Sequence, residues 1–242
     1  MGGHAGGITE HLRLSTAIRK AGRRGILPLI ADIKPVSPRD GNLVGQRDVA
    51  ELARSLVKAG ACALSVVTEP TQFGGSLEIL RCVSEAVPVP VLRKDFLTAT
   101  EQIEESAAHG AAAILLILAT IPDPLAADLY RSAQNRGLEV VVEIHTREEL
   151  QRALALFPTI IGINNRDILS LERDSGDVRV TEELAPHVPP GIVKISESAL
   201  MTEADIRRAV TAGANAVLVG TAILRAEDPA AFVSSLIGRI SP

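Results

Sequence analysis

The chain has 242 residues, 46% of them hydrophobic and 22% charged, with a formal net charge of −4 at neutral pH. That length holds one large domain or two small ones, and the charge balance gives no general affinity for polyanions, so a nucleic-acid partner is not expected. Aromatic residues make up only 2%, with no Trp and one Tyr, which leaves little stacking surface for single-stranded nucleic acid and a core of Ala, Val, Leu and Ile that suits buried parallel strands.

Cys62 and Cys82 lack metal-type spacing and read as small hydrophobes in a reducing compartment, and the five histidines form no cluster, so no metal is expected. No apolar run approaches a membrane span, and the opening Met-Gly-Gly-His-Ala-Gly-Gly has no signal-peptide core. The expected location is the cytoplasm, with no membrane partner.

In chain order, residues 1–27 are expected to form an N-terminal extension with a helix from Ile8 to Ala21 lying against the rest. Apolar, β-branched runs then recur at Leu29–Lys34, Ala63–Thr68, Val89–Lys94, Ala113–Leu118, Glu139–His145, Ile160–Asn164, Val193–Ser196 and Ala216–Val219. Between them lie segments of helical period. Val49–Ala59 stops at Gly60 and Glu101–His109 at Gly110. Arg147–Leu156 follows Thr146, with Glu149 placed for a capping box, and Glu203–Ala212 follows Thr202 and stops at Gly213. Eight such units at intervals of roughly 20 to 35 residues predict a (β/α)8 TIM barrel. The rival, a doubly wound open sheet, often shows a GxGxxG turn after its first strand, and none stands here. No linker or composition break divides the chain, so residues 1–242 are expected to form a single domain.

In a (β/α)8 barrel the chemistry sits at the C-terminal ends of the strands. The first strand ends on Lys34 and the third on Lys94, and a buried strand rarely finishes on an ammonium group unless that group is paired or used. Asp32 lies two residues before Lys34 and so on the same face, where carboxylate and ammonium can tune each other. Glu143, Asn164 and Glu197 come from the fifth, sixth and seventh strands and complete a mixed acid–base set; structural ion pairs in the barrel mouth are the alternative reading. Asn165, Arg166 and Asp167 follow Asn164, and Arg166 is counted with the substrate-binding residues. Ser198, Gly220 and Thr221 follow strands seven and eight, where small and hydroxyl residues let backbone N–H groups meet a phosphate; a tight turn and helix cap is the alternative. Phe73 and Phe96 fall in active-face loops and suit the two sides of a flat aromatic substrate, with lid packing as the alternative. His145 reads as a satisfied strand-end histidine in preference to a base.

Seven motifs in order resemble the indole-3-glycerol phosphate synthase family: Ile30-Ala31-Asp32-Ile33-Lys34 with Ser37-Pro38, Ser65-Val66-Val67-Thr68-Glu69 with Phe73-Gly74-Gly75-Ser76, Val91-Leu92-Arg93-Lys94-Asp95-Phe96, Val142-Glu143-Ile144-His145, Ile161-Gly162-Ile163-Asn164-Asn165-Arg166-Asp167, Ser196-Glu197-Ser198 and Leu218-Val219-Gly220-Thr221. The resemblance implies a (β/α)8 lyase of tryptophan biosynthesis. Its substrate would be 1-(o-carboxyphenylamino)-1-deoxyribulose 5-phosphate, closed, decarboxylated and dehydrated to the indole without a cofactor. It implies Lys94 as general acid for ring closure and Glu143 and Lys34 as the acid–base pair of dehydration, with Asp32 beside Lys34 in the catalytic set. Asn164 and Glu197 would orient hydroxyls and lysines. Ser37, Ser198, Gly220 and Thr221 would hold the phosphate, and Phe73 and Phe96 would flank the anthranilate ring. Contact with other tryptophan-pathway enzymes is a further implication. Three positions depart from the family pattern: Asp32 stands for the usual Glu, Pro35 for an often basic residue, and Ala199 for a glycine. Asp32 and Ala199 keep open a paralogue acting on a related aminodeoxyribulose phosphate, while the presence of Lys34, Lys94, Glu143, Asn164 and Glu197 argues against a third reading, a phosphate-binding barrel without turnover.

Overall fold

The structure, a computed structural model, describes residues 13–170 and 176–239. The apolar runs become eight strands: β1 Leu29–Ile33, β2 Ala63–Val67, β3 Val91–Lys94, β4 Ala113–Ile117, β5 Glu139–Ile144, β6 Ile160–Asn164, β7 Val193–Glu197 and β8 Ala216–Val219. They close in the order β1-β8-β7-β6-β5-β4-β3-β2 and back to β1, every neighbouring pair parallel. The fold is the predicted (β/α)8 TIM barrel. Alternation along each strand divides its side chains between two cores. Leu29, Leu64, Val66, Ile114, Val142, Ile161 and Val217 join the cluster beneath the helices. Ile30, Ala63, Leu92, Leu115, Val141, Ile160, Ile195 and Leu218 form a second cluster inside the barrel.

The helices are α1 Leu14–Arg23, α2 Val49–Lys58, α3 Pro70–Phe73, α4 Leu77–Ala86, α5 Thr100–Ala108, α6 Asp123–Asn135, α7 Arg147–Leu154, α8 Arg179–Leu184, α9 Glu203–Thr211, α10 Thr221–Arg225 and α11 Pro229–Arg239. The expected capping box forms where Thr146 with Glu149 opens α7, and Thr202, expected as a cap, opens α9 in a capping box of its own with Asp205. Among the described residues no helix is long and apolar enough to cross a membrane.

The expected N-terminal helix is seen as α1, and the part of that expectation before Arg13 lies outside the described residues. Leu14 and Ile18, one turn apart on one face, are fully buried in the interior cluster. Helix α1 therefore closes one end of the barrel. Glu139, at the start of β5, holds it there, accepting from the Ser15 N–H at 3.0 Å and from the Ser15 hydroxyl. Arg13 Nε lies 3.6 Å from the same carboxylate, and Arg19 donates to the Gly191 carbonyl at 2.6 Å. The opposite end, where the strands finish, stays open for chemistry.

A Leu14→Ala variant leaves a cavity at the closed end. We expect a loss of about 2–5 kcal/mol of unfolding free energy, read as a lower urea midpoint, with turnover per folded molecule unchanged. An unshifted midpoint would contradict the sealing role of α1.

Candidate active site

Strand register decides which side chains meet at the open end. Val67 stands opposite Lys94, Glu143 opposite Gly162, and Asn164 opposite Glu197. Lys94 Nζ lies 3.1 Å from Glu197 Oε2 and 3.4 Å from Glu143 Oε2, and both glutamates are buried. Burial by itself would lower the lysine pKa, but the carboxylates of Glu197, Glu143 and Asp32 outweigh it and hold Lys94 above the ordinary lysine range. Glu197 feels the reverse balance. Burial pushes its carboxyl up to about 7, against the pull of Lys94 and with the help of Glu143 and Asp32. At neutral pH the pair therefore keeps an ammonium aimed into the cleft beside a carboxyl close to its titration point.

The cleft above is lined by Asp32, Lys34, Lys94, Asn164, Arg166 and Ser198, with Phe73 and Phe96 on one side. Gly220 and Thr221 line its continuation on the other side, together with Ala199 and again Lys34, Lys94 and Arg166. Lys34 falls one residue beyond β1, is buried, and has its Nζ 5.9 Å from the centre of the Phe73 ring, within cation–π range.

The Phe73-Gly74-Gly75-Ser76 run is the folding device that puts that ring there. Glu69 caps α3 by accepting the N–H groups of Thr71, Gln72 and Phe73. Gly74 ends the helix at φ 63°, in the left-handed region. A Cβ on Gly75 would stand 2.2 Å from the Val67 carbonyl oxygen, so only glycine fits against the end of β2. Ser76 then caps α4. Phe96 is set by its neighbours: Asp95 accepts the Phe96 N–H at 2.8 Å while paired with Arg93 at 3.0 Å. Arg93 in turn donates to Thr68, to the Gln102 carbonyl and to Ser106.

Asn164 Oδ1 accepts the Arg166 N–H at 3.0 Å. The Arg166 side chain is buried, and its Nε has no hydrogen-bond partner among the described residues, a donor placed to receive an anion in the cleft. Asn165 points elsewhere. Its amide nitrogen donates to Ser196 and to the carbonyls of Glu197 and Ser198, and its oxygen accepts from Thr181, so it fastens β6 to β7 and α8. His145 Nδ1 lies 2.8 Å from the Asn164 carbonyl oxygen, a satisfied strand-end histidine.

Ser198 and Ala199 both adopt left-handed backbone, φ 65° and 55°. A Cβ on Gly220 would stand 2.9 Å from Asp32 Oδ2, so glycine there leaves room for the β1 carboxylate. Ser37 is an expected site residue whose hydroxyl takes part in its own turn. It is buried in a small hairpin of Val36–Ser37 with Gly41–Asn42, where its hydroxyl accepts the N–H groups of Arg39 and Asp40 and it does not line the cleft. Glu143 and Glu197 reach the cleft through Lys94 and do not line it directly. Val67, Ile117 and Ile168 supply an apolar wall that the polar strand ends do not reveal. The period-two pattern points Val67 and Ile117 inward, whereas Ile168 follows its strand with no periodic signal. Among the described residues no group of three or more His, Cys, Asp or Glu is arranged to hold a metal ion.

Fold and site together define a (β/α)8 barrel with an acid–base centre at the C-terminal ends of its strands. A model of the family described as indole-3-glycerol phosphate synthase matches residues 6–236. The chain is 44% identical over 224 residues to the indole-3-glycerol phosphate synthase of Pyrococcus furiosus and 43% identical over 224 residues to that of Thermococcus kodakarensis, covering 93% of this chain and 96% of each relative. It is 42% identical over 230 residues to the one of Halalkalibacterium halodurans, covering 95% of this chain and 88% of that relative. This chain belongs to the indole-3-glycerol phosphate synthase family.

Two outcomes follow from the electrostatics and the strain. In the folded chain Glu197 keeps its proton to about pH 7, against 4.5 for an ordinary glutamate, so the folded state binds more protons between those values. The contribution of Glu197 to stability is therefore full below pH 4.5 and is lost as pH rises to about 7. Glu197→Gln should flatten that slope in urea midpoints taken across the window, and identical slopes would contradict the assignment. Left-handed backbone costs a residue with a Cβ about 1–2 kcal/mol, and glycine returns up to about 1 kcal/mol of that as unfolded-state entropy. Ala199→Gly should therefore raise the stability by about 1 kcal/mol or less, measured by thermal unfolding.

Proposed function

We propose that this chain converts 1-(o-carboxyphenylamino)-1-deoxyribulose 5-phosphate to indole-3-glycerol phosphate, carbon dioxide and water, as a single catalytic domain over residues 1–242. The observation that carries the reading is the Lys94 ammonium, held between Glu143 and Glu197 under a cleft with phenylalanines on one side and Ser198, Gly220 and Thr221 on the other. The substrate is anionic at both ends and flat at one, which matches that division. Its aryl ring lies between Phe73 and Phe96, its phosphate meets Ser198, Gly220 and Thr221, and Arg166 and Lys34 balance the charge. Ser37 supports the phosphate end through the hairpin that follows Lys34.

Lys94 protonates the ribulose carbonyl oxygen as the ring carbon bearing the carboxylate attacks the carbonyl carbon. A C–C bond forms and the carbonyl becomes a hydroxyl. The carboxylate then leaves as carbon dioxide, and its bonding pair restores the aromatic ring. Dehydration follows, with Lys34 in the cleft and Glu143 reaching it through Lys94 as the pair of which one gives a proton to the departing hydroxyl and the other removes a proton from the ring system. Asn164 and Glu197 orient hydroxyls and the lysine ammonium, and Asp32 sets the charge around both lysines. A raised lysine pKa suits the first step, because the acid stays loaded at neutral pH. The reaction needs no cofactor, and the cytoplasm, with contact there to other tryptophan-pathway enzymes, belongs to the same reading.

The direct test is a fluorescence assay for the indole product with the carboxyphenylamino substrate. Folded wild type is expected to form product, and its failure to do so would sink the reading. Lys94→Ala should lower kcat by about 10²- to 10⁴-fold, the range of a lost general acid; an undiminished kcat would remove Lys94 from the role.

A further inference from the structure

Glu197 is wholly buried, and its carboxylate has no hydrogen-bond partner among the described residues beyond the Lys94 ammonium, 3.1 Å from Oε2. A side chain with three rotatable bonds is ordinarily oriented by such bonds. Here the orientation rests on the ion pair to Lys94 at 3.1 Å and on shape. The shape is set by the neighbouring strand. Gly162 sits in the middle of β6, and a Cβ built on it would stand 2.5 Å from Glu197 Oε1 and 3.0 Å from Val141 Cγ1. The carboxylate thus occupies the volume that any other residue at 162 would claim.

Backbone conformation does not call for glycine at this position, since its φ is not among the positive values of the chain. Glycine also weakens a strand interior, where it has no side chain to pack. Space is what remains to account for it. We propose that Gly162 is a positioning residue, its absent side chain forming the slot that holds the Glu197 carboxylate against the Lys94 ammonium. The proposal rests on the role of Glu197 given above.

The atom nearest to an added methyl is the far end of a flexible side chain, so Gly162→Ala is expected to fold with Glu197 displaced. The disturbance then falls on the geometry of the ion pair. We expect a normal circular dichroism spectrum, a kcat lower by roughly tenfold to a hundredfold and a KM changed by less than about threefold, as a displaced catalytic group predicts. The pH profile of kcat/KM should shift in the neutral range, where Glu197 titrates, an effect that looser packing alone would not produce.

A double-mutant cycle gives the sharper readout. In a Glu197→Ala background the slot is empty, so adding Gly162→Ala should cost no further activity. An equal fold-loss in both backgrounds, or a folded Gly162→Ala enzyme with unchanged kcat and pH profile, overturns the proposal. If Gly162→Ala does not fold, Val141→Ala/Gly162→Ala removes the second crowded contact and is carried through the same cycle; if that also fails to fold, glycine is required by packing and the proposal falls. Full activity in Glu197→Ala alone is a different result: it removes the role of Glu197 and leaves the slot without a function.

Discussion

A lysine ammonium inside a protein survives as a charge only where carboxylates replace the water it has lost. Lys94 meets that condition through Glu197 and Glu143, with Asp32 adding a third negative charge. These four residues come from β3, β7, β5 and β1, so no local stretch of chain can assemble them. A slip of one residue in any strand would turn its carboxylate or ammonium toward the helices and out of the cluster. The closed register of the barrel is therefore the condition for the charge cluster. Beneath the cluster an interior hydrophobic cluster reaches down to Leu14 and Ile18 of α1 and gives the ion pairs a largely apolar floor.

Around that centre the loops act as braces. Glu69, Gly74, Gly75 and Ser76 form one continuous device that turns the chain at the end of β2 and sets Phe73 beside Lys34. Arg93 and Asp95 flank Lys94 in sequence and tie the end of β3 to Thr68 and α5, with Asp95 also at the edge of the cleft. The opposite side of the cleft carries strain, with Ser198 and Ala199 both at positive φ. Strain of this kind persists where the surroundings over-determine it, and here Asn165 accomplishes that by holding the Ser198 carbonyl.

The strand ends were legible because alternation and barrel arithmetic together say which residue of each strand comes last on the inward face. Lys94, Glu143, Asn164 and Glu197 follow from that rule. The Thr146–Glu149 cap was legible as well, since a capping box is a local pattern with a local cause. Ser37 shows where such reading ends. Its hydroxyl accepts two N–H groups in the hairpin after Lys34, and that hairpin leaves no mark in hydrophobic periodicity. Asn165 is one more polar strand-end residue beside Asn164, yet the two side chains part company: alternation at the end of β6 sends one to the cleft and the other to β7 and α8.

By itself the sequence determined the element order, the barrel and the inventory of charged groups at its open end, because each of these depends on periodicity and on residue type over short spans. Only the tertiary structure decided which charges touch. The distances of Lys94 to Glu197 and Glu143, the room that Gly162 leaves for a carboxylate and the contact of Asp32 with Gly220 all cross strands that are far apart in the chain. Their values depend on register and on side-chain volume at facing positions, and both exist only once the barrel has closed.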